Sequence, residues 1–444
     1  VTVSPSSLLA LHAARHDRYP ALFESAAAGQ PLGRYDILFA FPGERLTLYG
    51  DGSLSRGGTT QPGHFLDALD QWWLDERTAA FDSPLPFHGG WLVFLGYELA
   101  WQIEPKLRLP RPPGIVAEAI RIPAALVHER GTGRGWIVVE SGQEALFDSV
   151  TADLASDASI AEPPAVLVGE VQEDPPQNYL DAVSRALEYI RAGDIYQANL
   201  SRRWQAHLDP ATRPFHLYQR LRQTNPGPFC ALAVLSDSAV VSSSPERLLS
   251  VKDRLIQTRP IAGTRPRGWD ASSDENLARE LHAHPKERAE HVMLIDLERN
   301  DLGRVCEPGS VQVDEFMTIE SYVHVHHIVS NVRGFLRSDV TPGQAIAATF
   351  PGGTITGCPK VRCMEIIAEL EGSPRGAYTG SLGYLNRDCR MDFNILIRSL
   401  EIRDGVVSLR AGAGIVADSI PERELDESRA KARGVLKALT GGSA

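Results

Sequence analysis

The chain has 444 residues, 43% hydrophobic and 23% charged, an ordinary globular profile that allows one large domain or two to three smaller ones. A formal net charge of -11 argues against a nucleic-acid or anionic-membrane partner, because either would repel an acidic protein. It leaves room for a small anionic substrate, which feels the field of one pocket and not the sum. No apolar run approaches the roughly 20 residues that span a bilayer. Val1–Arg18 lacks a basic start followed by an apolar core, so no signal peptide is expected. Five cysteines with no paired CxxC spacing fit a reducing cytoplasm, and neither a zinc site nor a disulfide scaffold.

In chain order, Asp36–Leu38, Leu46–Tyr49, Gly90–Gly96 and Trp136–Glu140 read as strands, with a proline-rich loop at Pro105–Pro113. Residues 1–160 are expected to form an N-terminal α+β domain, and Ser156–Gln177 reads as a linker. Residues 178–444 are expected to form a second, larger unit interleaved with the first. Asn178–Ala192 has helical periodicity, with Tyr179, Ala182, Val183, Ala186, Leu187 and Ile190 on one stripe. Glu287–Leu297 and Glu422–Leu439 read as further helices. Strands are expected at Ala231–Leu235, Leu382–Leu385, Ile395–Ile402 and Val406–Ala411. The fold class is α+β.

Glu287 and Glu290 lie three apart on a predicted helix, so their carboxylates share one face. Glu424 and Glu427 repeat the spacing on the last helix, with Lys431 one turn further. Oxygen-only ligands of this kind suit Mg²⁺. A solvated helix face carries the same pattern, and spacing alone does not separate the two. His324, His326 and His327 cluster in one predicted strand, but no soft ligands accompany them, so zinc is not expected. One of them has the ordinary pKa of about 6.5 needed for acid–base work, or is simply a buried structural group. Pro351–Lys360 is a glycine-rich loop running into a predicted helix, a shape that presents backbone N–H groups to a carboxylate or phosphate. It is not a GxxxxGK[ST] loop, because no hydroxyl residue follows Lys360. Ala411–Ile415, with Gly412 and Gly414, reads as a second anion-binding candidate or as a close-packing turn.

Together the segments Thr258–Thr264, Arg288–Asp296, Arg299–Gly303, Pro351–Lys360, Gly380–Tyr384, Met391–Arg398 and Ala413–Ser419, in this order, resemble the chorismate-utilising enzymes. That family includes anthranilate synthase component I, aminodeoxychorismate synthase component I, and the isochorismate and salicylate synthases. The resemblance is close from about residue 178 onward and looser before it. It implies large antiparallel sheets in a sandwich-like core with helices outside. It implies Mg²⁺ bound by Glu290 and Glu427, with Glu287 and Glu424 holding metal-bound waters. Thr356, Gly357, Tyr378, Arg398, Gly412, Gly414 and Lys431 match positions that grip the substrate's two carboxylates. Arg398 suits that task because its planar fork is always charged. His327 matches the histidine near the departing C4 oxygen, and Glu246 a glutamate used for proton transfer. Thr264 closes the Thr258–Thr264 segment that carries Ala262.

The nucleophile follows from Gln197. Family members that add water resemble this segment but carry lysine there, as a base. Ammonia attacks unaided, so glutamine points to ammonia. Aminodeoxychorismate synthases usually carry a lysine at the position of Ala262, where it attacks C2; alanine is typical of anthranilate synthase. Ala411–Ile415 leans the same way. Thr356, Phe87-His-Gly-Gly90, Gly96-Tyr-Glu98 and the short chain lean toward aminodeoxychorismate synthase, some of which carry alanine and use a non-covalent intermediate aminated at C2. The balance favours aminodeoxychorismate synthase, with anthranilate synthase as the alternative. Glu24, Ser25, Pro226 and Phe229 fall in segments that resemble a tryptophan pocket, or a tight turn in a buried core. No glutaminase motif is present, so ammonia is expected from a separate glutamine amidotransferase subunit.

Overall fold

The computed structural model describes residues 4–25, 33–156, 160, 162–321 and 325–441. His324 lies outside the described residues. Helices form where the apolar period predicts them. Pro176–Ala192 buries Tyr179, Val183, Ala186 and Leu187; it starts on proline and stops at Gly193, whose φ of 82° ends the helix in the left-handed region. Pro285–Gly303, Lys360–Glu371 and Pro421–Thr440 are the other helices that carry site residues.

Among the described residues, two antiparallel sheets of 11 and 12 strands make up the β structure. Each draws strands from both halves of the chain. In the first, Ala21–Glu24 pairs with Phe229–Val234; in the second, Gly90–Leu95 pairs with Ser381–Asn386. The sheets face each other across a shared apolar layer in which Phe39 of one sheet meets Phe87 at 5.0 Å and Tyr384 of the other sheet at 6.3 Å. Helices cover the outer faces. Pro421–Thr440 lays Ala432, Val435, Ala438 and Leu439 into the cluster outside the first sheet. The expected sandwich-like α+β core is what the chain forms.

Three expectations are corrected. Ile395–Ile402 is not one strand: Met391–Asn394 belongs to the second sheet and Ser399–Arg403 to the first. The chain changes sheets between them, with Arg398 at a φ of 52°. Ala411–Ile415 is not a turn but the end of the long strand Val406–Ile415. Ser156–Gln177 is not a loose linker throughout, because Leu167 and Val168 are buried and Val168 bridges to Leu208. In each case long-range pairing overrode a local signal.

The Gly96-Tyr-Glu98 segment has a structural role. Glu98 is buried and accepts from the backbone N–H groups of Arg375 at 2.7 Å and Gly376 at 3.1 Å. It thereby fixes the turn that leads to Tyr378. Replacing Glu98 by Ala leaves two buried donors without partners, so Glu98→Ala is expected to cost about 2–4 kcal/mol in urea unfolding.

Candidate active site

The site forms where strands leave one sheet for the other. Ala239–Ser244 lies in the first sheet and Arg247–Lys252 in the second, with Glu246 on the crossover between them. The crossover that carries Arg398 runs beside it. Ile395 N–H donates to the Glu246 carbonyl at 3.0 Å, and Ser243 N–H donates to the Arg398 carbonyl at 3.2 Å. Two irregular stretches are thus bonded to each other, which satisfies backbone groups that neither sheet can pair.

Glu246 is buried, and the Thr354 hydroxyl of the glycine loop donates to its Oε1 at 2.7 Å. Burial pushes its carboxyl up to about 7; Thr354, the Ile261 N–H, Arg398 and Lys431 hold it from rising further. Such a group keeps or gives up a proton near neutrality. His327, on Val325–Phe335, is buried and shares a hydrogen bond from Nδ1 to the Thr264 hydroxyl at 2.9 Å. Burial lowers its pKa to about 3, and Arg398 and Lys431 push the same way. His327 is therefore a neutral imidazole at neutral pH, not an acid in reserve. His326 is turned to other partners, Ser321 at 2.7 Å and Asp274 at 2.9 Å. Arg398 and Lys431 act on both Glu246 and His327, which places all four around one space.

The floor is glycine-lined because backbones meet there. Gly357–Cys358 pairs with the start of Gln197–His207, and a Cβ on Gly357 would lie 2.1 Å from the Gln197 carbonyl. A Cβ on Gly412 would lie 1.8 Å from the Leu200 carbonyl, and one on Gly414 2.4 Å from Gln197 Nε2. Gly357 and Gly412 are thus demanded by packing, whatever they also bind. Gln197 Oε1 is buried with no hydrogen-bond partner among the described residues. The Thr356 hydroxyl is turned inward onto the Gly352 carbonyl at 2.9 Å. Tyr378 is buried, with the Arg375 guanidinium 5.5 Å from its ring centre. Ala262 sits on Ile261–Pro266 opposite Ile328, two residues from Thr264.

The four glutamates come from two helices. Glu287 pairs with Arg265 at 3.2 Å and approaches Gly263, whose added Cβ would lie 2.9 Å from Glu287 Oε2. Glu427 pairs with Lys431 at 2.8 Å. Glu424 and Glu427 both act on Tyr179, so the last helix turns them toward Pro176–Ala192. Among the described residues no three His, Cys, Asp or Glu side chains are grouped to hold a metal ion. An all-carboxylate donor set matches a hard dication, and two of its members now use arginine and lysine as their cationic partners.

Sequence reasoning missed the network beneath the floor. The Glu371 side chain is buried; Arg375 reaches it at 2.7 Å, Arg410 at 2.8 Å, and Ser201 donates to it from N at 2.8 Å and Oγ at 2.9 Å. Arg375 also donates to the carbonyls of Asn199 at 2.6 Å and Ile355 at 3.2 Å. One network ties the glycine loop to the strand that carries Gln197. The Glu–Arg spacing of four residues was the available signal, but nothing local reveals that it is buried.

In the N-terminal region a cavity of about 140 Å³ is lined by Glu24, Ser25 and Phe229. Pro228, and not Pro226, completes that wall. Among the described residues Glu24 Oε1 and Ser25 Oγ have no hydrogen-bond partner there, with Arg130 3.9 Å from Glu24 Oε1, while Glu24 Oε2 accepts from Tyr218 at 2.6 Å.

A proton-holding carboxyl, a neutral imidazole and fixed cations gathered between two antiparallel sheets define an enzyme site suited to a small anionic substrate. The family model for chorismate binding enzymes matches residues 33–437, and the chain belongs to that family. Aminodeoxychorismate synthase component 1 of Bacillus subtilis is 39% identical over 451 residues, covering 96% of this chain and 93% of that protein. An anthranilate synthase component I-like protein of Synechocystis is 44% identical over 370 residues, 80% of this chain and 74% of its own. The crystal structure of anthranilate synthase component I from Streptococcus pneumoniae superposes with a TM-score of 0.82 at 32% identity, covering 92% and 93% of the two chains. No helix among the described residues is long and apolar enough to cross a membrane.

Proposed function

We propose that this protein is the component I of an aminodeoxychorismate synthase, replacing the C4 hydroxyl of chorismate with an amino group for p-aminobenzoate and folate synthesis. The observation that carries amination is Gln197. Its neutral side chain stands against Gly414 where a water-adding enzyme would need a base. The choice of branch rests on Thr356 and on the Phe87–Gly90 and Gly96–Glu98 segments, because relatives of both branches match the chain over nearly its whole length at similar identity. Ammonia would come from a separate glutamine amidotransferase subunit in the cytoplasm.

In this reading Arg398 and Lys431 hold the substrate's carboxylates. His327, fixed by Thr264, stays neutral and hydrogen-bonds the C4 oxygen. Glu246 takes or gives the proton that moves as the ring is substituted. Glu290 and Glu427 would hold Mg²⁺ with Glu287 and Glu424 behind them, and the ion would supply a Lewis acid for the ring carboxylate. Ala262 has no nucleophile, so one ammonia adds at C2 as water leaves from C4, and a second adds at C4 as the first departs. The net change is chorismate plus ammonia giving 4-amino-4-deoxychorismate plus water. Intact-mass spectrometry during turnover is expected to show only the unmodified chain; a chorismate-derived adduct would sink the non-covalent route.

Ala262 itself favours a second reading, anthranilate synthase component I, in which pyruvate leaves after the C2 addition. The cavity at Glu24 and Ser25 is read as an amino-acid pocket in either case. The Glu24 carboxylate and the Ser25 hydroxyl suit the ammonium group of tryptophan.

A further inference from the structure

The strand that carries Gln197 presents a second amide to the same side. Along Gln197–His207, side chains alternate between the two faces of the first sheet. Ala198 and Leu200 point outward, into the apolar cluster formed with Val183, Ile366 and Ile367 of the covering helices. Gln197 and Asn199 therefore leave the strand on the opposite, inner face, which they share with Gly414, the residue paired with Asn199. Gln197 is 7% exposed, and its Oε1 is matched by a second buried oxygen, Asn199 Oδ1, that also has no hydrogen-bond partner among the described residues.

The backbone of Asn199 is already engaged. Its N–H donates to the Thr356 carbonyl at 2.8 Å, and its carbonyl accepts from Arg375 at 2.6 Å. Main-chain bonds thus hold this part of the floor, and the side-chain oxygen makes no bond that would hold it further. A buried acceptor left unpaired costs stability, so two of them side by side fit a ligand that donates to both.

Ammonia is such a ligand. It carries three N–H donors and one lone pair, and the lone pair has to stay free to attack the ring. Alternate residues of a strand stand about 7 Å apart. One small molecule donating to each oxygen at about 2.9 Å bridges that span. The acceptors are neutral, which matters: a carboxylate in their place would favour ammonium, which has no lone pair to attack with.

We propose that Asn199 and Gln197 together form the seat of the attacking ammonia, each side-chain oxygen accepting one of its N–H groups. The inference deepens the amination reading above and rests on it.

The test is the initial rate of chorismate consumption by the purified chain, for the parent, Asn199→Ala and Asn199→Leu. Ammonium chloride is varied at saturating chorismate, then chorismate at saturating ammonium, with pH and ionic strength fixed. Circular dichroism checks the fold of each variant. Loss of one neutral hydrogen bond should raise the ammonia KM about 3–10-fold in both variants. The chorismate KM should stay within about twofold of the parent value and kcat should change little, the pattern of lost ground-state binding. An ammonia KM that stays at the parent value in either folded variant, or rises only together with the chorismate KM, overturns the inference. So does failure of both variants to fold, which would make the side chain structural. Each of those results leaves the amination reading intact, because the parent still consumes chorismate with ammonia. A parent that consumes none overturns both.

Discussion

Glu246→Gln is expected to lower kcat for chorismate amination by about 10²–10⁴-fold, the usual worth of a positioned proton-transfer group. The amide keeps the size of the carboxyl, and its oxygen still accepts from the Thr354 hydroxyl, so the crossover and the loop stay together. What disappears is a group that changes protonation near neutrality. Burial gives Glu246 that property, and the nearby cations Arg398 and Lys431 keep it from being locked in the acid form. With the substrate's carboxylates held by Arg398 and Lys431, as proposed, the chorismate KM should change little. Steady-state kinetics with ammonium salts at several pH values separates the two quantities. A loss confined to KM would show that Glu246 binds and does not transfer protons.

Glu371→Gln should cost about 3–5 kcal/mol of stability, the price of breaking a buried ion pair from one side. The glutamine would leave two buried guanidinium groups, Arg375 and Arg410, without their anion. Urea unfolding checks the size of the loss, and the pH dependence checks its origin. Burial raises the Glu371 carboxyl, but Arg375 and Arg410 outweigh it and bring it below the ordinary range. The folded pKa lies below the unfolded one, so this stability is present above the unfolded value and fades as pH falls through the folded one. The parent should therefore lose its advantage over Glu371→Gln in acid. Because Arg375 holds the carbonyls of Asn199 and Ile355, the variant should also lose activity before it unfolds globally.

Much of this was legible in the sequence. Helices with one apolar stripe, such as Pro176–Ala192, formed within two residues of their predicted start because burial and propensity agree there. The glycine-rich segments marked the floor, since backbone contacts at Gly357 and Gly412 leave no room for a side chain. Hidden from the sequence was everything set by pairing between distant strands. The break at Arg398 looks locally like continued strand, and only the change of sheet reveals it. Glu371 reads as an ordinary charged helix residue, because nothing local tells that its surroundings are closed. The carboxylates proposed to hold Mg²⁺ were legible as a donor chemistry but not as a geometry, since Glu287 and Glu427 are engaged by Arg265 and Lys431.

The most direct measurement is product analysis with purified protein, chorismate, Mg²⁺ and ammonium salt at mildly alkaline pH, with and without added aminodeoxychorismate lyase. The account predicts no anthranilate in either mixture, and p-aminobenzoate only when the lyase is present. Fluorescent anthranilate formed without the lyase would contradict it, and would mean that pyruvate leaves within this site.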